Sequence, residues 1–178
     1  MFDSWLTLSG SGMDLRQVAR DLSPGGAASA GAWGRPLKFA IHRDARGRFE
    51  MGYPSGWELE AGEGVLVRSN RLSSFAKVEV LPLPGADWTA FQEAVAKAGG
   101  TLTIRKEIAG PPRGLRGLLE VGGVRFDLFA RAWTRGSETI VLSTGSAVDA
   151  GAGPSFKSYE DQVLSAIRRE FKVTAEAS

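Results

Sequence analysis

Hydrophobic and polar residues alternate along most of the chain after Pro36, which is the pattern of half-buried β-strands. Residues 37–42 and 48–53 show it first, and residues 43–47 between them, Arg-Asp-Ala-Arg-Gly, form a turn signal, so a β-hairpin is predicted. Further strands are predicted at 57–59, 65–67, 76–80, 102–104, 115–121, 124–133 and 139–144. Gly122-Gly123 separates two of these runs by the length of a tight hairpin turn, so we expect the last three to form an antiparallel meander.

Two segments repeat every three to four residues and therefore predict amphipathic helices. In the first, Trp88, Phe91 and Val95 share one face, Asp87 is placed to cap the start, and Gly99-Gly100 ends the helix. The pattern therefore indicates one helix in the middle of the predicted strands.

The second helical segment closes the series. Its apolar face repeats at four-residue intervals and consists of Tyr159, Val163, Ile167 and Phe171. Ser158 and Asp161 have the spacing of a capping box, and Arg168 and Arg169 suit the negative C-terminal end of a helix. The order is roughly ββββ–α–ββββ–α, which predicts an α+β fold with a mainly antiparallel sheet backed by two principal helices.

The first 34 residues differ in composition from the rest, because 16 of them are Gly, Ser or Ala. A short helical pattern interrupts them at 13–22. We therefore divide the chain into an N-terminal arm, residues 1–34, and one α+β domain, residues 35–178. Two interpretations of the arm stay open, an extension packed on its own domain or a docking peptide whose aromatic residues, such as Trp5, insert into a partner.

The strand predicted at 124–133 has one unusual face. Its first face is an ordinary core face, formed by Val124, Phe126, Leu128, Ala130 and Ala132. Its second face is formed by Arg125, Asp127, Phe129, Arg131 and Trp133. Arginine beside aromatic rings is enriched at interface hot spots, so these residues are the predicted partner-binding surface. The alternative is that the terminal helix or the arm covers this face, with the arginine side chains reaching out at its edge.

Composition excludes several classes of chemistry. The 178 residues suffice for one domain that is stable without disulfides or metals. The absence of Cys excludes disulfides, thiolate metal sites and a cysteine nucleophile. The net charge of +2 is too small a basic excess to indicate a nucleic-acid partner. No apolar run is long enough to span a membrane, and the start lacks the pattern of a secretion signal.

The residues that could support catalysis are few and isolated. His42, the single histidine, is expected on the polar side of the first strand, with no second histidine and no cysteine for a zinc site. Residues 151–158 resemble a phosphate-binding loop, but Phe156 replaces its second glycine. Residues 113–117, Arg-Gly-Leu-Arg-Gly, could grip RNA, although such residues more often decorate a loop. We therefore expect no enzymatic activity, no metal site and no cofactor.

Four short segments resemble the PsbP-like family. Tyr53-Pro54-Ser55-Gly56-Trp57 is similar to the Tyr-Pro-x-Gly-Trp opening of these domains, and Phe75–Val80 looks like their next sheet strand. Residues 91–98 look like their first helix, and Ile167–Val173 like their closing helix. The resemblance covers about residues 37–173.

This resemblance implies an α/β/α sandwich with a central antiparallel sheet and a non-catalytic accessory role. Within the superfamily, some proteins are extrinsic or assembly proteins of photosystems at the thylakoid lumen, bacterial relatives act as chaperone-like adaptors, and a eukaryotic branch binds a small GTPase. The chain shows no lipoprotein or transit signal and no second histidine to support metal binding of the family type.

The expected function is therefore that of a PsbP-like accessory protein that docks on a larger membrane complex, such as a photosystem, for assembly or stabilisation. The expected location is the periphery of the thylakoid membrane if the chain is a mature form, and the cytoplasm otherwise. The alternative function is that of a cytoplasmic adaptor or chaperone that binds an apolar segment of a client protein.

Overall fold

The structure is a computed structural model and describes residues 38–62, 64–69, 74–85, 88–148 and 154–175. The helices in these ranges are α1 (Trp88–Lys97) and α2 (Pro154–Glu170). The strands are β1 (Phe39–Arg43), β2 (Phe49–Pro54), β3 (Glu58–Ala61), β4 (Val65–Arg68), β5 (Ser74–Leu81), β6 (Gly100–Ile108), β7 (Arg113–Val121), β8 (Val124–Arg135), β9 (Glu138–Ala147) and β10 (Lys172–Val173). The predicted arm, with its 13–22 helix and Trp5, and the predicted cap Asp87 lie outside the described residues.

The strands form two antiparallel sheets. The larger has seven strands in the order β3-β4-β5-β9-β8-β7-β6, and the smaller has three in the order β1-β2-β10. The predicted hairpin of β1 and β2 and the predicted meander of β7, β8 and β9 are both confirmed. A two-residue turn at Gly122-Gly123 joins β7 to β8, and both glycines have positive φ, as a tight hairpin turn requires.

The large sheet carries a hydrophobic core on each of its two faces, because successive strand residues point to opposite sides. On one face α1 buries Trp88, Phe91 and Val95 against a core that includes Leu115, Leu119, Phe126 and Leu128. On the other face α2 buries Val163 and Ile167, and Phe171 directly after the helix joins them, against a core that includes Phe49, Met51, Ile140 and Leu142. Both predicted helix faces are thus buried, and the predicted α+β sandwich with two principal helices is confirmed.

Helix α2 begins one turn earlier than the sequence pattern predicts. It starts at Pro154, so Ser158 lies inside the helix and the predicted capping box with Asp161 is wrong. Proline is favourable in the first turn of a helix, where no backbone N–H is needed for an internal hydrogen bond. Residues 154–158 of the segment that resembles a phosphate-binding loop are therefore helical.

The pattern of β1 predicts one apolar and one polar face, but both faces are partly buried. Phe39 packs against the core beneath α2, as the pattern predicts. His42 lies opposite Met51, whose side chain is fully buried in the core, so His42 is on the core side of the hairpin. Ile41, expected on the core side, is 61% exposed. The reason is that β1 follows the pleat of its partner, because directly opposed residues share a face, and β2 turns Phe49 and Met51 inwards.

Candidate functional site

The candidate site lies on the face of the seven-stranded sheet that also carries α2. Helix α2 packs against β5 and β9, and the strands further out on this face are β8, β7 and β6. Lys106 of β6 lies opposite Arg116 of β7, and Arg116 lies opposite Phe129 of β8. Phe129 in turn lies opposite Thr144 of β9. Since opposed residues share a face, this row places Arg116 beside the ring of Phe129 and Lys106 on the far side of Arg116.

Three guanidinium groups converge on the ring of Phe129. The Cζ atom lies 4.9 Å from the ring centre in Arg168, 5.4 Å in Arg131 and 5.7 Å in Arg116. All three distances are within the range of cation–π attraction. The three arginines come from α2, β8 and β7, so the cluster exists only in the folded domain. We call Lys106, Arg116, Phe129, Arg131 and Arg168 together the Arg–Phe face.

Hydrogen bonds fix the position of Arg168 within the cluster. Its Nη1 donates to Thr144 Oγ1 at 2.8 Å, and its Nη2 donates to Ser165 Oγ at 2.7 Å. Thr144 Oγ1 donates to the carbonyl oxygen of Phe129 at 3.3 Å. The guanidinium of Arg168 is therefore held over the ring by groups on both α2 and β9.

The Arg–Phe face has an excess of positive charge. Burial lowers the pKa of Arg168; Asp161 raises it, and Arg116 and Arg131 lower it further. An arginine stays charged despite such shifts, so the cluster carries three closely spaced positive charges. In the part of the chain that the structure describes, no carboxylate forms a salt bridge with Arg116, Arg131 or Arg168.

Carboxylates lie in the neighbouring rows of the same face. Asp127, two residues before Phe129, accepts a hydrogen bond from Arg105 Nη1 at 3.4 Å. Arg105 reaches it from a bulge in β6, where the register with β7 shifts between Ile104 and Lys106. Glu120 lies opposite Arg125 in the following row. The excess of positive charge is thus confined to the rows around Phe129.

The residues predicted to bind a partner have different environments in the structure. Arg125 and Arg131 are exposed, Asp127 and Phe129 are half-buried, and all four lie on the predicted face of β8. Trp133 lies on the same strand face, but its ring centre is 5.0 Å from that of Phe171 and it packs against the α2 core. Trp133 is half-buried there, so one end of the strand face is partly covered by the residue that directly follows the terminal helix.

Arg116 and Arg168 are the members of the cluster that sequence reasoning did not assign to the site. Arg116 was expected in the strand predicted at 115–121, which precedes the strand of Phe129. Its pairing with Phe129 follows by counting back from the two-residue turn at Gly122-Gly123. The signal was thus present in the sequence. Arg168 carried only the signal of a basic residue near a helix end, which does not indicate which strand it contacts.

Two other polar contacts on the large sheet are buried and already paired. Lys77 Nζ lies 3.0 Å from Glu79 Oε1, and burial lowers the pKa of Lys77 although Glu79 opposes the shift. Ser74 Oγ donates to Glu160 Oε1 at 2.6 Å in a buried contact between β5 and α2. The two residues of each pair meet each other's hydrogen-bonding needs inside the fold, whereas Arg116 and Arg131 are exposed.

Groups suited to acid–base or metal chemistry are sparse in the described residues. His42 is half-buried, and its ring centre is 6.2 Å from that of Phe49. Burial lowers the pKa of His42, with Asp44 opposing the shift. Across the described ranges, no three His, Asp or Glu side chains are grouped so that they could hold a metal ion. No helix there is long and apolar enough to cross a membrane.

Known structures share the fold of this chain, but no comparison assigns the chain to a family. No protein-family model and no curated protein matches the sequence. Among solved structures, the chain is similar to the Ran-binding protein Mog1p of Saccharomyces cerevisiae, with a TM-score of 0.54, 12% identity, and 79% of this chain and 97% of that chain covered. It is also similar to cyanobacterial PsbP (CyanoP) from Synechocystis sp. PCC 6803, with a TM-score of 0.53, 18% identity, and coverages of 85% and 99%.

The two comparisons bear directly on the predicted resemblance. A PsbP protein is among the structures that share this fold, so the expected α/β/α arrangement is confirmed. At 12% and 18% identity the likeness concerns the fold alone, since one fold supports many functions. The function must therefore be argued from the Arg–Phe face.

Proposed function

We propose that the protein is a non-catalytic accessory protein that binds a protein partner through the Arg–Phe face. The observation that carries the proposal is the convergence of Arg116, Arg131 and Arg168 on the half-buried ring of Phe129. Arginine and aromatic residues dominate the binding energy of protein interfaces, because both bury large surfaces and make directional contacts. The face lies on a rigid sheet, which limits the entropy lost on binding.

We further propose that the partner is part of a larger membrane complex, such as a photosystem, and that the protein assists its assembly or stability. Two observations support this choice. The segment Tyr53-Pro54-Ser55-Gly56-Trp57 resembles the opening of PsbP-like domains, and a cyanobacterial PsbP shares the fold. The location that corresponds to this role is the periphery of the thylakoid membrane.

The second candidate function is a cytoplasmic adaptor or chaperone that binds an apolar segment of a soluble client. It is supported by the likeness in fold to Mog1p, which is described as a Ran-binding protein. The two candidates differ in the compartment of the partner, which is a membrane in the first and the cytosol in the second. One purification can therefore separate them.

The test is affinity purification of partners from native membranes and from cytosol, side by side. We expect a membrane complex to be recovered with the wild-type protein and to be lost with Phe129→Ala. The matched control is Leu83→Ala, which also removes a large apolar side chain, at a position that is 48% exposed and outside the face. Trp133→Ala is a poor test of binding, because Trp133 packs against Phe171 and its loss disturbs the core.

Recovery of a soluble client only, with the same loss in Phe129→Ala, favours the adaptor. Equal recovery with Phe129→Ala and Leu83→Ala contradicts the role of the Arg–Phe face in either function.

A further inference from the structure

We infer that the Arg–Phe face binds an acidic segment of the partner protein, with the segment's carboxylates placed between Arg116, Arg131 and Arg168. This inference rests on the proposed function and adds the chemistry of the partner. A carboxylate can accept two parallel hydrogen bonds from one guanidinium, so arginine clusters are suited to bind Asp and Glu side chains.

The donors that the segment needs are available on the surface. Arg168 uses Nη1 and Nη2 for Thr144 and Ser165 and is thereby held in place. Arg116 and Arg131 are exposed and form no salt bridge with the residues that the structure describes. The guanidinium groups of Arg116 and Arg131 can therefore turn towards a ligand, while that of Arg168 is already held in place by its hydrogen bonds.

The cluster holds more positive than negative charge. Burial is the main cause that lowers the pKa of Arg168; Asp161 raises this pKa, and the charges of Arg116 and Arg131 both lower it. Phe129 and the burial of Arg168 reduce the screening of these repulsions by water. An Asp or Glu carboxylate placed among the three guanidinium groups would replace their mutual repulsion with attraction. The methylene groups of that side chain would contact the ring of Phe129.

The charges around the site favour a short acidic peptide over a nucleic acid. The adjacent rows are balanced in charge, because Asp127 pairs with Arg105 and Glu120 lies opposite Arg125, so the basic surface ends at the rows around Phe129. The whole chain has a net charge of only +2, without the extended basic surface typical of nucleic-acid binding. A short acidic segment fits a basic surface of this limited extent better than a long phosphate backbone does.

The width of the face sets the length of the segment. The row from Lys106 to Thr144 crosses four adjacent strands, β6 to β9. Strands lie roughly 4.8 Å apart, so the row is about 15 Å long, and an extended peptide rises about 3.3 Å per residue. A segment of roughly four or five residues therefore spans the cations from Lys106 to Arg168.

The direct test titrates the protein with an N-acetylated hexa-aspartate peptide and measures the dissociation constant by calorimetry at low and moderate salt. NMR signals of the arginine Nε–Hε groups report which side chains respond. We expect saturable binding that shifts the signals of Arg116, Arg131 and Arg168, and that weakens about tenfold or more in the double variant Arg116→Gln/Arg131→Gln. Binding should also weaken with added salt.

The matched control is Arg113→Gln. Arg113 is exposed and lies on the same strand as Arg116, but it pairs with Ala132, whose side chain points to the α1 core. We expect its affinity for the peptide to remain within about twofold of wild type, since only a weak long-range charge effect is lost. Thermal unfolding of the double variant close to that of wild type excludes a folding defect.

Three outcomes would overturn the inference. They are no saturable binding of the peptide at low salt, an equal loss in Arg113→Gln and the double variant, and stronger binding of a single-stranded DNA oligonucleotide than of the peptide at the same arginines.

The inference and the proposed function can fail separately. If partner capture is lost in Phe129→Ala but retained in Arg116→Gln/Arg131→Gln, the proposed function stands and the acidic segment is wrong. If hexa-aspartate binds at the three arginines but no partner is captured from membranes or cytosol, the ligand chemistry stands and the proposed function is wrong.

Discussion

Asp44 fixes the turn between β1 and β2 through four accepted hydrogen bonds. Its Oδ2 accepts from the backbone N–H groups of Arg46 and Arg48 at 3.1 Å and from Arg48 Nε at 2.8 Å. Its Oδ1 accepts from Arg48 Nη2 at 2.9 Å. Hydrogen bonding from Arg48 lowers the pKa of Asp44 to about 2. Arg48 Nη1 also lies 3.7 Å from Glu138 Oε1, which connects the turn to β9.

The Asp44 carboxylate therefore makes the stability of the fold depend on pH. Because its pKa is lower in the folded state than in the unfolded state, its contribution is complete above about pH 4 and is lost as the pH falls towards 2. We expect Asp44→Asn to reduce the free energy of unfolding at pH 7 by about 2 kcal/mol, since Arg48 loses its hydrogen bonds to a charged carboxylate. Urea denaturation of both proteins between pH 7 and pH 2 measures the difference.

The control for this prediction is Glu50→Gln in the same hairpin. Glu50 pairs with Arg43 at 2.8 Å, but the two side chains are 38% and 71% exposed. Exposed pairs contribute little, so we expect a change below about 0.5 kcal/mol. A difference between wild type and Asp44→Asn that stays constant from pH 7 to pH 2 would show that the carboxylate charge is not responsible.

At the scale of elements, the hairpin of β7 and β8 builds the candidate site. Gly122 and Gly123 have φ angles of 58° and 81°, in the region that favours glycine. Their two-residue turn pairs Val121 with Val124 and thereby sets every later pair of the ladder, including Arg116 with Phe129. A shift of one residue would move Arg116 to the other face of the sheet.

Substitution of Gly123 tests how much this turn contributes. No atom lies within 4 Å of a Cβ built at Gly123, so only the backbone conformation opposes a side chain there. We expect Gly123→Ala to lower the free energy of unfolding by about 1 kcal/mol. Gly123→Asn should cost less although its side chain is larger, because Asn adopts positive φ more readily. Thermal unfolding of both variants measures the two costs, and a greater loss for Asn would contradict the explanation.

The sequence predicted the parts of the fold and site that depend on local rules. Alternation and a two-residue turn suffice to place Arg116 beside Phe129. The position of Arg168 over the ring depends instead on how α2 seats Val163 and Ile167 on the sheet, which no local pattern encodes. The partial burial of His42 opposite Met51 was missed for a similar reason, since a short edge strand takes its orientation from its partner.

At the scale of the whole molecule, the central sheet couples the two hydrophobic cores. Phe91 is 1% exposed in the core beneath α1, and Ile167 is fully buried in the core beneath α2. Neighbouring residues of β5, Phe75 and Ala76, belong to different cores, so loss of packing on either face removes support from the same strand. The two cores are therefore expected to unfold together.

Phe91→Ala and Ile167→Ala test this coupling. We expect Phe91→Ala to lower the free energy of unfolding by about 3–5 kcal/mol and Ile167→Ala by about 2–5 kcal/mol, because each leaves a cavity in a packed core. Leu83→Ala, at an exposed position, should change it by less than about 0.5 kcal/mol. Urea unfolding followed by far-ultraviolet circular dichroism and by tryptophan fluorescence should give one coincident transition in every variant, as two-state unfolding requires. Separate transitions in Phe91→Ala or Ile167→Ala would mean that each helix stabilises its own half of the sandwich, and that the Arg–Phe face could lose Arg168 while β7 and β8 stay folded.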